Sequence, residues 1–127
     1  PEQADGVDIA QLETLLRSPL AAEIRSGKNV LREYPFTVLI PASGLDPAAQ
    51  DDQVLLQGVV DCCFETGDGL VVVDFKTDRV SGGETALRAE HYRPQLEAYS
   101  AALERVLEKP VVRRMLYFLT PGETVEL

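Results

Sequence analysis

No stretch of this sequence approaches the roughly 18 consecutive apolar residues of a membrane-spanning helix. The N-terminal PEQADG likewise has neither the basic nor the apolar region of a signal peptide. No membrane association is expected, and the expected location is the cytoplasm. Cysteine is scarce: Cys62 and Cys63 stand side by side, which excludes the spaced ligand pairs of zinc and iron–sulfur sites and makes a mutual disulfide strained. No iron–sulfur cluster is therefore expected, and reduced thiols on opposite faces of a strand are. Basic residues are few, with 12 Lys and Arg against 21 Asp and Glu for a net charge of −9. That balance argues against a stand-alone nucleic-acid binder, because phosphate affinity normally comes from clustered cations. It is compatible with a carboxylate-lined metal site, whose charge bound cations would offset.

What is present suits one compact unit. The 127 residues, 45% hydrophobic, are expected to fold as a single domain over 1–127. The chain begins at Pro1 rather than an initiator methionine, which reads as a piece of a longer protein.

Apolar residues at Ile9, Leu12, Leu15, Leu16, Leu20 and Ile24 recur near helical spacing. They predict a helix from about Asp8, its cap, to Arg17, then a short helix beyond the interrupting Pro19 that ends near Gly27. From Val30 to Ile40, β-branched and aromatic residues predict a strand, and Pro35 within it implies an edge or a bulge. Residues 41–53 are rich in Pro, Gly, Ala and Asp and are expected as a solvated, flexible connection. Val54 to Glu65 and Gly69 to Lys76 read as two strands joined by a tight TGDG turn, hence antiparallel. Leu87 to Leu107 carries a helical pattern that Pro94 is expected to divide, leaving a short first piece and a helix from about Tyr92 to Glu108. Val111 to Leu119 is a last strand. The order, helix, three-stranded antiparallel meander, helix, strand, is that of a mixed α/β domain.

Chemistry concentrates on the hairpin. Asp74 and Lys76, two apart on a strand, leave the same face. If the register sets Asp61 beside them, two carboxylates and an ammonium converge. Hard oxygen donors of this kind suit Mg²⁺ or Mn²⁺. Phosphodiester hydrolysis needs a hydroxide near neutral pH and stabilisation of a highly charged transition state, which carboxylate-held metals with a neighbouring Lys supply. The plain alternative is a strand end meeting water. A charge that closes the apolar run VVVD must nevertheless be satisfied somehow.

These residues carry a resemblance. GVVD, then VVVDFKTDRV, then YRPQLEAYSAAL resembles the nuclease domain of the RecB and AddA helicase-nucleases, a branch of the PD-(D/E)XK superfamily, over about Glu33 to Leu119. The phrase LLQGVVD is closer to the AddA side. The resemblance implies a restriction-endonuclease-like core. It also implies an Mg²⁺-dependent DNA exonuclease that acts in end resection and recombinational repair beside the helicase portion of the same polypeptide and a second nuclease/helicase subunit. It makes Asp61 and Asp74 metal ligands together with the main-chain carbonyl of Phe75, and makes Lys76 the catalytic lysine. Gln95 and Tyr99 match a QxxxY pair that contacts the DNA backbone or supports the ligands; one helical turn apart, they share a face. Otherwise they are a polar residue at a helix start and a half-buried ring. Glu33 either completes the site through a water or by holding Lys76, or is the exposed side of an edge strand.

The histidine that such nucleases take from a helix upstream of the first strand has no counterpart; the single histidine, His91, lies downstream and reads as a surface or DNA-proximal residue. A non-catalytic nuclease-fold module that guides DNA or docks a partner, and a stand-alone phage or CRISPR-type exonuclease, are the competing readings.

Overall fold

The computed structural model describes residues 9–41 and 53–127. Two short helices come first, α1 (Ile9–Leu16) and α2 (Pro19–Ser26). Pro19 opens α2: its missing N–H is one a helix start cannot use, and the Ser18 hydroxyl accepts from the Ala21 N–H at 3.2 Å as a cap. Strands β1 (Lys28–Pro41), β2 (Gln53–Glu65) and β3 (Leu70–Arg79) follow, then helix α3 (Thr85–Leu107) and strands β4 (Val111–Thr120) and β5 (Glu123–Glu126). The strands form a five-stranded sheet in the order β1-β2-β3-β4-β5. β1, β2 and β3 make the expected antiparallel meander, while β4 returns parallel to β3 through α3, and β5 folds back antiparallel on β4. Pro35 sits on an edge strand, as expected. Of the connection expected at 41–53, Pro41 and Gln53 end strands, and 42–52, like the expected cap Asp8, lie outside the described residues.

Both faces of the sheet are covered. Leu70, Val72, Leu116 and Phe118 pack with Ala89, Leu96, Ala102 and Leu103 of α3. Val71, Val73, Met115 and Tyr117 pack with Leu20 of α2 and, at the margin, with Leu15 and Ile24. Val71, Val72 and Val73 are at most 1% exposed, so β3 is the central strand, apolar on both sides. The adjacent thiols point to opposite faces, Cys62 to the α2 side and Cys63 to the α3 side, and both are buried and free. Burial pushes the Cys63 thiol up to about 11, out of the range of a reactive thiolate.

One expectation is corrected: Pro94 does not divide the helix, and α3 runs unbroken through it. Pro94 is solvent-exposed, whereas Ala89 and Leu96 on either side are 0% and 1% exposed and hold both halves to one core. Packing on both sides offsets the cost of a proline inside a helix, about 3 kcal/mol. Strand β5, in ETVE, adds to the expected elements; four residues carry too little pattern to announce a strand. Among the described residues no helix is long and apolar enough to cross a membrane.

Candidate active site

The site forms where the sheet divides. β2 and β3 pair only from Glu65 with Leu70 to Cys62 with Val73. Beyond that point β2 stays with β1 as far as Gln53 opposite Pro41, and β3 stays with β4 as far as Arg79 opposite Thr120. Asp61 and Asp74 are the first residues past the last pair, one on each arm of the fork. β2 turns over at this level: Val60 packs on the α3 side but Cys62 on the other, although residues two apart in a regular strand share a face. On β1 the residue opposite Asp61 is Glu33, which is unpaired between Arg32 with Cys62 and Tyr34 with Val60 and adopts a left-handed φ of 47°. Such local irregularities re-aim side chains.

Asp61 takes over from the broken ladder, its Oδ2 accepting from the Phe75 main-chain N–H at 2.9 Å. In an extended strand the N–H and C=O of one residue point to the same edge, so the Phe75 carbonyl opens into the fork too. Asp74, 8% exposed, stands beside Asp61 closely enough for their carboxyl groups to share a hydrogen bond. Burial, and then the neighbouring Asp61, push the Asp74 carboxyl up to about 6 against the opposing pull of Lys76.

Lys76 is held from three directions. Its Nζ lies 2.7 Å from Asp74 Oδ2, donates to Gln95 Oε1 at 3.1 Å, and sits 4.0 Å from the centroid of the Tyr92 ring. The Tyr92 hydroxyl donates to Asp78 Oδ2 at 2.7 Å, and Arg88 Nε reaches the same oxygen at 3.9 Å. Burial and the Asp78 carboxylate raise the Tyr92 phenol to about 12, so it remains a donor. Arg88, Tyr92 and Asp78 were not among the expected site residues, although the signal was available. Asp74, Lys76 and Asp78 alternate along β3, and Arg88, Tyr92 and Gln95 fall at helical spacing on α3, so two periodicities face each other.

The remaining expected residues make no hydrogen bond, ion pair or ring contact with Lys76 among the described residues. Tyr99 packs edge-on against Phe36 with centroids 5.1 Å apart, and it lies over Gly58, where a Cβ would come within 2.9 Å of its ring. Its hydroxyl makes no hydrogen bond to a described residue. Glu33 is exposed and forms no ion pair among the described residues. His91 is exposed at the edge of the Tyr92 ring, 5.1 Å between centroids, and belongs to a cleft beside the site. Among the described residues no three His, Cys, Asp or Glu side chains converge as a metal-binding group. The donors at the fork are two carboxylates and one main-chain carbonyl.

A forked mixed sheet with two aspartates at the crotch and a half-buried lysine two residues beyond the second is the arrangement of a nuclease domain, and the chain belongs to the PD-(D/E)XK nuclease superfamily, which it matches over residues 3–126. More particularly, it is similar to the A subunit of the ATP-dependent helicase/nuclease of Acetivibrio thermocellus, 40% identical over 96% of this chain and 10% of that protein. The protein of the same name from Desulforudis audaxviator is 37% identical over 94% of this chain and 10% of its own length. The chain thus spans about a tenth of the length of these relatives. Among solved structures, the crystal structure of SSO0001 shares the fold with a TM-score of 0.53 at 18% identity, covering 94% of this chain and 48% of that one.

Proposed function

We propose that the chain is a metal-dependent deoxyribonuclease domain that hydrolyses DNA phosphodiesters, working within an ATP-dependent helicase-nuclease in DNA end resection and recombinational repair. The observation that carries this reading is the convergence at the fork of Asp61, Asp74 and Lys76, with Gln95 of α3 on the lysine. The donor set fits a hard divalent cation such as Mg²⁺ or Mn²⁺. Two adjoining carboxylates, one of them almost wholly buried, face a single ammonium and are short of positive charge. Mg²⁺ commonly takes one or two carboxylates and keeps several waters, so a third acidic side chain is not required.

Asp61, Asp74 and the Phe75 carbonyl would hold the cation, which when bound lowers the pKa of a water and polarises a phosphoryl oxygen. The Asp61–Phe75 hydrogen bond ties one ligand to the strand that carries the other two, so the three donors move as a unit. Lys76 places a positive charge beside the scissile phosphate, where charge builds in the transition state. Gln95 and the Tyr92 ring fix that ammonium before substrate arrives, which lowers the reorganisation the reaction needs. Tyr99, lying over Gly58, fixes the stretch of β2 that leads to Asp61.

The test is Mn²⁺ binding followed by electron paramagnetic resonance, alongside cleavage of linear DNA. Asp61→Asn and Asp74→Asn are expected to abolish both the loss of the free Mn²⁺ signal and the cleavage, while Lys76→Gln abolishes cleavage and retains Mn²⁺. Cleavage at the unsubstituted rate by Asp74→Asn would overturn the assignment.

A further inference from the structure

Beside the fork, between the end of β3 and the first turns of α3, lies an open cleft of about 290 Å³ lined by Arg79, Val80, Glu84, Leu87, Arg88 and His91. In a chain with a net charge of −9, this groove places two arginines beside the fork, on the side of β3 and α3. Several other cations are engaged: Arg93 with Glu90, Lys109 with Glu65, and Arg113 with Glu23 and Glu126. In the cleft, Arg79 makes no ion pair among the described residues, and Arg88 has one long contact to Asp78 at 3.9 Å with its side chain 49% exposed. The carboxylate on the lining is Glu84, and Asp78 stands behind Arg88, so Arg79 is the guanidinium of the cleft that is left without an acidic partner among the described residues.

The cleft is also mechanically joined to the site. Arg88 touches Asp78, Asp78 accepts from Tyr92, and the Tyr92 ring covers the Lys76 ammonium. Arg79 lies on the strand that carries Asp74, five residues further on, a separation of roughly 16 Å along an extended chain. That is the span of a few successive phosphates of one DNA strand. The apolar part of the lining is Val80 with Leu87, the latter 75% exposed, and His91 adds a flat ring on which a base can stack.

We infer that this cleft is the entry path of the DNA strand, with Arg79 and Arg88 gripping phosphates upstream of the bond to be cut and His91 supporting a base. The inference rests on the proposed deoxyribonuclease reading and adds to it the grip on DNA against which the overall composition argues. A local basic groove can load an acidic domain because phosphate contacts act within a screening length of about 10 Å.

The test measures binding of a fluorescein-labelled single-stranded oligonucleotide by anisotropy across a salt series, in an Asp74→Asn background that does not cleave. Arg79→Ala and Arg88→Ala are compared with Arg105→Ala, which removes an exposed charge from the far end of α3 and serves as a charge-matched control. Each cleft substitution is expected to weaken binding about three- to tenfold at low salt and to flatten the slope of log affinity against log salt by about 0.7. Arg105→Ala is expected to leave the slope unchanged, and thermal melting checks that all variants are folded. In the cleaving protein, Arg79→Ala raises KM for DNA with kcat retained. Equal small losses in all three variants would overturn the cleft and leave the nuclease reading standing. A background protein that binds no oligonucleotide at all would overturn both.

Discussion

From Glu65 to Cys62, β2 is zipped to β3; from Asp61 onward the two strands go to different partners. The zipped half holds Phe64, Leu70, Val71, Val72 and Val73, each at most 1% exposed, with cores pressing on both faces. The open half begins with two carboxylates. The ladder ends where apolar burial ends, and the donor freed at Phe75 is met by the Asp61 carboxylate. The same pair of strands is thus rigid for part of its length and then incomplete. The closed half sets the spacing of Asp61 and Asp74, and the open half leaves room between them.

The comparison is broken most severely by removing charge from the open half. Asp74→Asn is expected to lower DNA cleavage by about a thousandfold or more while the far-ultraviolet circular dichroism spectrum stays unchanged, since an electrostatic group at a reacting centre carries effects of this order. A loss below tenfold in a folded protein would mean that the fork is not the reacting centre.

The closed half should answer in stability. Phe64→Ala is expected to cost about 3–5 kcal/mol, read as a lower urea midpoint, because it opens a cavity in a buried cluster against which Gly27 closely packs. Below its melting temperature the variant should retain Mn²⁺ binding. A variant as stable as the parent would show that the zipped half does not hold the fork in register.

Much of this division was legible in the sequence. The alternation of Asp74 with Lys76 placed both on one face, and the TGDG turn made β2 and β3 partners, so the meeting of Asp61 with them needed only the register. The fork itself was not legible, because a strand that exchanges one neighbour for another has the same residue pattern as one that does not. Residues held through a partner also escaped: the alternation of Asp78 with Lys76 and the helical spacing of Tyr92 with Gln95 were in the sequence, but that they meet follows only once α3 lies across β3. Glu33 and Tyr99 were drawn in by the resemblance, and the first lies unpaired at an edge while the second packs over Gly58. Pro94 failed as a helix breaker because Ala89 and Leu96 on either side of it are anchored in one core, invisible to a local reading, that holds the helix through it.

Gly58 offers a milder probe of the open half. A Cβ there would come within 2.9 Å of both Phe36 and Tyr99, so Gly58→Ala must push apart the rings that fix the β1–β2 arm to α3. Overpacking of this kind is expected to cost about 1–3 kcal/mol. Cleavage should fall with it, because Asp61 lies three residues along the same strand. Gly58→Ala with unaltered melting would mean that the arm yields without strain, and cleavage would then be the more informative reading.

The smallest effect concerns what the open half costs when no cation is bound. The Asp74 carboxyl is raised to about 6, first by burial and then by Asp61, against an ordinary value of 3.8. The folded protein therefore holds this proton more tightly than the unfolded chain, and between about pH 4 and pH 6 it loses stability as the pH rises. Above that range the penalty is complete. Asn mimics the protonated group, so in a metal-free buffer at pH 7.5 Asp74→Asn should melt a few degrees higher than the parent, corresponding to about 1–2 kcal/mol. Loss of the Lys76 ion pair works against this, but Lys76 already contributes to the balance that leaves the carboxyl raised. Excess Mn²⁺ should reverse the order, stabilising the parent through its carboxylates and leaving the variant unmoved. If Asp74→Asn melts lower in chelator, the ion pair with Lys76 outweighs the crowding of the two aspartates. The fork would then be held closed by its own charges and not by the need for a cation.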